Sequence, residues 1–153
     1  MFYMATFINT YTGTVDEKGR IVLPSEFKKA VVEMGLEKVV LEKNHQKKSI
    51  DIHPEKTWVE NVEKLKRKLN THNKQHALFL QKYFKNFFRV NIATSGRINI
   101  PKDFLEFANL KKSVDFIGMS DSISMIASTN PVQAEMSDEE YDAIWDELGK
   151  KED

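Results

Sequence analysis

The stretch Asp16-Glu17-Lys18-Gly19-Arg20-Ile21-Val22-Leu23-Pro24-Ser25-Glu26-Phe27 leaves the backbone few choices. Gly13-Thr14-Val15 before the turn and Ile21-Val22-Leu23 after it are rich in the apolar and β-branched residues that strands favour. Between them, Asp16 suits the first position of a type I turn, where its carboxylate can cap backbone N–H groups. Gly19 takes the fourth position, where a positive φ finishes a hairpin with a bulge. Pro24 has no N–H for a ladder, so the strand stops, while its fixed φ suits the first position of a helix. On that register Glu26 falls in the first helical turn, where the helix dipole favours an anion. Together these residues dictate strand, tight turn, strand, helix.

The pattern returns, at a constant offset, as Ala93-Thr94-Ser95-Gly96-Arg97-Ile98-Asn99-Ile100-Pro101-Lys102-Asp103-Phe104. Helical spacing follows in both copies, as Phe27, Ala30, Val31 and Met34 and then as Phe104, Phe107 and Ala108. Two copies of one small unit imply a repeat architecture. A unit of about 45 residues is too small to bury a sufficient core alone, so the copies are expected to share one, which further subunits can extend.

Around these copies the chain reads simply. Phe2 to Tyr11 is apolar and β-rich, a strand or an arm packing on a neighbour. Gly35 suits the end of the first helix. Val39-Val40-Leu41 predicts a third strand, and Ser49 to His53 alternates as a fourth. Pro54 opens a helix with Trp58, Val62, Leu65 and Leu69 on one stripe and Lys64, Lys66, Arg67 and Lys68 on the other side. After a polar break at Thr71 to Gln75, the spacing predicts a second helix over Ala77 to Phe88, making a helical hairpin. Arg89 to Ile92, Val114 to Gly118 and Ile123 to Ala127 are strands of the second copy, ended by Asn130-Pro131. Ser137 and Glu140 form a capping box before Tyr141, Ile144, Trp145 and Leu148, one apolar helical face.

The formal net charge of zero conceals a segregation. From Glu135 to Asp153 nine acids face only Lys150 and Lys151, so residues 1–134 carry 21 bases against 14 acids. A basic body with an acidic tail suits a protein whose body meets a polyanion, and an acidic solvated helix explains the tail equally well. The tail can also lie over the basic face of a neighbouring subunit. With no cysteine, disulfides and thiolate metal sites are excluded. No apolar run reaches membrane-spanning length and Met1 to Thr14 does not read as a secretory signal, so a soluble intracellular chain without membrane contact is expected.

Asp16 and Gly19 are explained by turn chemistry alone. Arginine is not, because a hairpin does not require it, yet Arg20 and Arg97 follow glycine in both copies. Lys18 stands at the turn tip. A two-stranded ribbon tipped by lysine and arginine can enter a major groove, with arginine clamping phosphate or guanine. An ion pair that only supports the fold is the other reading, and the residues leave both open. His72 and His76 share a helical spacing but lack a third ligand, and His45 and His53 have no evident partner. No phosphate-binding loop, nucleophile elbow or dinucleotide fingerprint occurs, so neither an enzyme nor a cofactor is expected.

At the paired motif the chain resembles the MraZ family, whose members carry two SpoVT–AbrB-type repeats. The likeness rests on Asp16 to Pro24, on Ser49 to Pro54 followed by Trp58, on Gly96 to Pro101 and on Val114 to Gly118. It implies an α+β fold of two swapped-hairpin, or double-split β-α-β, repeats sharing one core. These would span residues 10–57 and 86–129, joined by a helical connector at 58–85 and followed by an acidic helix and tail at 130–153. It also implies a cytoplasmic, nucleoid-associated regulator that binds repeated promoter boxes of the division and cell-wall gene cluster as a ring-shaped homo-oligomer. The partner it implies is double-stranded DNA, met by Asp16 and Arg20 with Lys18 between them, and in the second copy by Arg97. An AbrB-like antitoxin or a scaffold for a protein partner is the alternative. Ala93 stands where the family usually has aspartate, so the second turn lacks that cap and Arg97 is open to a structural role. Ser124 to Ala127 also depart from the family's usual acidic residue and tryptophan.

Overall fold

The computed structural model describes residues 6–33, 38–130 and 136–150. The first copy supplies β1 (Thr10–Thr14), β2 (Arg20–Val22), α1 (Ser25–Glu33), β3 (Lys38–Asn44) and β4 (Ser49–Pro54). Then come α2 (Glu55–Arg67) and α3 (Lys74–Phe84). The second copy supplies β5 (Phe87–Asn91), β6 (Arg97–Asn99), α4 (Lys102–Ala108), β7 (Ser113–Gly118) and β8 (Ile123–Ala127), and α5 (Asp138–Gly149) follows. The architecture is α+β. One six-stranded antiparallel sheet runs β1-β7-β8-β4-β3-β5, and a separate ribbon joins β2 to β6.

The two arms of each turn do not pair along their length, which corrects the local hairpin expected from the sequence. After Gly19 the arms part: β1 pairs with β7 of the other copy, while β2 pairs with β6. The second copy does the same, with β5 lying against β3. Pairing across copies places Ile21 directly opposite Ile98, and each is only 1% exposed. Phe27 and Val31 of α1, Phe104 and Ala108 of α4, and the inner residues of the large sheet close around that pair as one cluster drawn from both copies. The cross-copy pairing is favoured because it buries the Ile21 and Ile98 side chains together in the shared core.

Smaller differences have local causes. Pro24 and Pro101 precede their helices, each giving its carbonyl to the first helical N–H bonds. The apolar stretch after Asn73 is helical only to Phe84, and Phe87 and Phe88 already lie in β5 opposite Glu42 and Leu41. Pairing to β3 and the packing of the Phe87 ring on Trp58 and Tyr83 hold that residue extended. Asn73, inside the expected polar break, caps α3 through its side chain. Phe7 is buried and bridges Ser120, while Phe2 to Ala5, Met34, Gly35 and Pro131 lie outside the described residues. Among the described residues no helix is long and apolar enough to cross a membrane.

Because Ile98 fills the seam between the copies, Ile98→Ala is expected to lower the free energy of unfolding by about 2–5 kcal/mol in urea titration. A loss under about 1 kcal/mol would mean the seam is not tightly packed.

Candidate nucleic-acid interface

The first turn is built by Asp16. Its backbone N–H donates to Arg20 O, its carbonyl accepts from Gly19 N, and Gly19 sits at φ +76°, the type I turn with bulge that the residues called for. The carboxylate then completes the turn. Oδ1 accepts from the backbone of Lys18 at 2.9 Å and of Arg20 at 2.8 Å, and Oδ2 accepts from Arg20 Nε at 2.7 Å. Those bonds, led by the backbone N–H of Arg20, hold the Asp16 carboxyl below the usual carboxylate range, against an opposing effect of desolvation. The ion pair therefore exists, but it uses only Nε of a side chain with five N–H donors.

The second turn keeps the backbone and loses the cap. Gly96 N donates to Ala93 O, Ala93 N to Arg97 O, and Gly96 lies at φ +87°. Alanine offers no carboxylate, so among the described residues Arg97 has no ion-pair partner, and it is exposed. Lys28 of α1 packs against Gly96 and donates Nζ to the carbonyl of Thr94, adding a cation beside this turn.

In the ribbon, Arg20 lies opposite Asn99 and Val22 opposite Arg97. Cross-strand partners share a face and successive residues alternate, so Ile21 and Ile98 point inward while both arginines point out. Asp16, Arg20 and Arg97 line one shallow depression of about 250 Å³, floored by Gly13, Ile21 and Val22. Three of the four residues singled out from the sequence thus come together. Lys18 stands apart from that lining, exposed at the tip of the first turn. The two turns occupy opposite ends of the ribbon, so the tip expected from one hairpin becomes a face contributed by two.

Several other titratable groups have structural partners. Glu26 accepts from Asn9 at 3.1 Å and from the Tyr11 hydroxyl. The Tyr11 bond, more than Asn9, holds the Glu26 carboxyl low, and the same bond raises Tyr11. His45 and His53, unpartnered in the sequence, bond Asn86 at 2.9 Å and Glu42 at 2.8 Å. Glu42, His53 and buried Asp51 form a cluster that the sequence did not suggest, because only the β3–β4 register brings them together. Asp51 is already satisfied there by Ser49, Asn44 and Lys47. His76 accepts from the backbone of Asn70.

Comparison with known proteins agrees with the motif. The family described as “MraZ protein, putative antitoxin-like” matches residues 6–81. A protein of Caldicellulosiruptor saccharolyticus named transcriptional regulator MraZ is 37% identical over 132 residues, covering 86% of this chain and 87% of that one. One of Clostridium tetani with the same name is 34% identical and covers 78% and 80%. Another, of Bacteroides thetaiotaomicron, is 29% identical over 145 residues, or 95% and 93% of the two chains.

Because the folded state lowers the Asp16 pKa, ionised Asp16 favours folding above the ordinary carboxylate pKa of about 4, and that contribution vanishes as pH falls through the depressed value. Asp16→Asn is therefore expected to melt at lower temperature than the wild type at neutral pH, with the gap narrowing in acid. Melting curves that stay parallel across the acid range would show the charge to be unimportant.

Proposed function

The chain belongs to the MraZ family, and from that premise we propose that the outer face of the β2–β6 ribbon binds double-stranded DNA in transcriptional regulation. The observation that carries this reading is the placement of Arg20 and Arg97, one from each copy, on one solvent-facing surface with Lys18 and Lys28 nearby. Asp16 orients Arg20 through Nε and leaves its terminal amino groups for phosphate or base edges. Arg97, without such a tether, serves as the second contact.

The finer reading follows the family. The reciprocal pairing of β1 with β7 and β5 with β3 supports two swapped-hairpin repeats at 10–57 and 86–129, with 58–85 connecting them and 130–153 as the acidic tail. One ribbon offers few contacts, so affinity would come from several subunits of a ring engaging repeated promoter boxes together. The division and cell-wall gene cluster is the proposed target, in the cytoplasm at the nucleoid.

Arg20→Ala is expected to weaken binding to a fragment of the chain's own promoter roughly ten-fold or more, with assembly mass unchanged. Gel shift and light scattering on one preparation check both, and undiminished binding would remove Arg20 from the interface. Arg20→Lys, which keeps charge but not the planar fork, should recover only part of the loss.

A further inference from the structure

Among the described residues two exposed apolar surfaces have no cover, and they complement each other. The first is α5. Its cap is complete, since Ser137 Oγ accepts from Glu140 N and Glu140 reaches back to Ser137 N. Yet none of its residues is buried, and Tyr141, Ile144, Trp145 and Leu148 are 56%, 46%, 60% and 50% exposed. Their spacing makes a single stripe. A twelve-residue helix is marginal in water by itself, so this stripe needs a partner to hold the helix. The flanks are uniformly acidic, with Asp138, Glu139, Glu140, Asp142, Asp146 and Glu147 and no base between 138 and 149.

The second surface lies where α2, α3 and the edge strand β5 meet. Val40, Trp58, Phe84, Phe87 and Phe88 line a groove of about 260 Å³ with Arg89 at its rim. Phe84 and Phe88 are 37% and 49% exposed, and Leu78 and Phe79 of α3 extend the apolar area at 47% and 48%. The surroundings are basic: residues 55–85 carry Lys56, Lys64, Lys66, Arg67, Lys68, Lys74, Lys82 and Lys85 against Glu55, Glu60 and Glu63. β5 is also the last strand of its sheet, so among the described residues no further strand covers this side.

We infer that α5 of one copy docks in the α2–α3–β5 groove of a second copy, with Trp145 inserted among the aromatic rings and the acidic flanks against the basic hairpin. This is helix-in-groove recognition, with anchors at i, i+3, i+4 and i+7. Charge complementarity selects the occupant, because an acidic amphipathic helix fits a basic rim that would repel a basic one. The helix and groove are different patches of the same chain, so the contact is head-to-tail, and such contacts close into rings when the rotation permits. The tail then serves as an assembly clasp. Such a clasp supplies the contact for the ring proposed above, but it is read without DNA, so failed promoter binding with intact assembly leaves it standing.

Light scattering over a range of protein concentrations tests it on the full chain. Trp145 is exposed, so Trp145→Glu spares the body, and it is expected to lower the assembly mass relative to wild type. Phe84→Glu should do the same from the groove side. An equimolar mixture of the two variants joins one intact helix to one intact groove, and a two-chain species absent from either variant alone is expected. A wild-type protein that is monomeric throughout, a Trp145→Glu variant of unchanged mass, or a mixture that forms no such species would each overturn the proposal.

Discussion

The structure depends on a reciprocal lock between the two copies. The carbonyl of Gly19 accepts from Ile100 N, and that of Gly96 accepts from Leu23 N, each at 2.9 Å. Between these bonds Ile21 packs opposite Ile98. A side chain at Gly19 would meet Leu105 of α4 at 2.9 Å, and one at Gly96 would meet Lys28 of α1 at 3.2 Å. Each turn is thus seated against the other copy's helix, and positive φ excludes most other residues from the same positions. Neither copy has a complete core without the other. Remove the exchange and the ribbon, its outward arginines and the base of the large sheet lose their support together.

The lock also turns a weak local feature into a surface. One arginine beside one turn offers a single cation on a short loop. Two turns seated head to tail place two guanidiniums diagonally across three residue pairs, backed by buried isoleucines. The copies are not equivalent in chemistry. At the first turn Asp16 fixes the arginine and an apolar Leu105 packs behind the glycine, whereas at the second Ala93 offers no carboxylate and Lys28 packs behind the glycine instead. The first arginine is held in place, and the second turn is more positive and less constrained. Alanine at position 93 is tolerated because the backbone bonds of the turn form without a side-chain cap.

Much of this was legible in the residues. Asp16 with Gly19, and Gly96 in the second copy, announce their turns through local backbone chemistry, and the turns form as expected. Ile123 to Ala127 reads as a strand from its own apolar run, and the Ser137–Glu140 cap depends only on near neighbours. What stayed hidden is which strand pairs with which. A turn fixes the angle between its arms over a residue or two, while the partner is chosen by what the whole core can bury, a non-local matter. Hence the ribbon face that unites Arg20 with Arg97 could not be read from either motif. The same reason hid the bond between Glu42 and His53, which requires the β3–β4 register. Phe87 and Phe88 read as helix because their spacing continues that of α3, and only pairing with β3 makes them extended.

If the shared ribbon face neutralises DNA phosphates, duplex binding must depend on salt, and fluorescence anisotropy on the wild type and Arg20→Ala tests this most directly. For phosphate contacts the logarithm of the binding constant falls linearly with that of salt, by about 0.9 per neutralised phosphate. The predicted result is a steep wild-type slope that becomes shallower by about one in the variant. A slope near zero, or the same slope in both proteins, would contradict it.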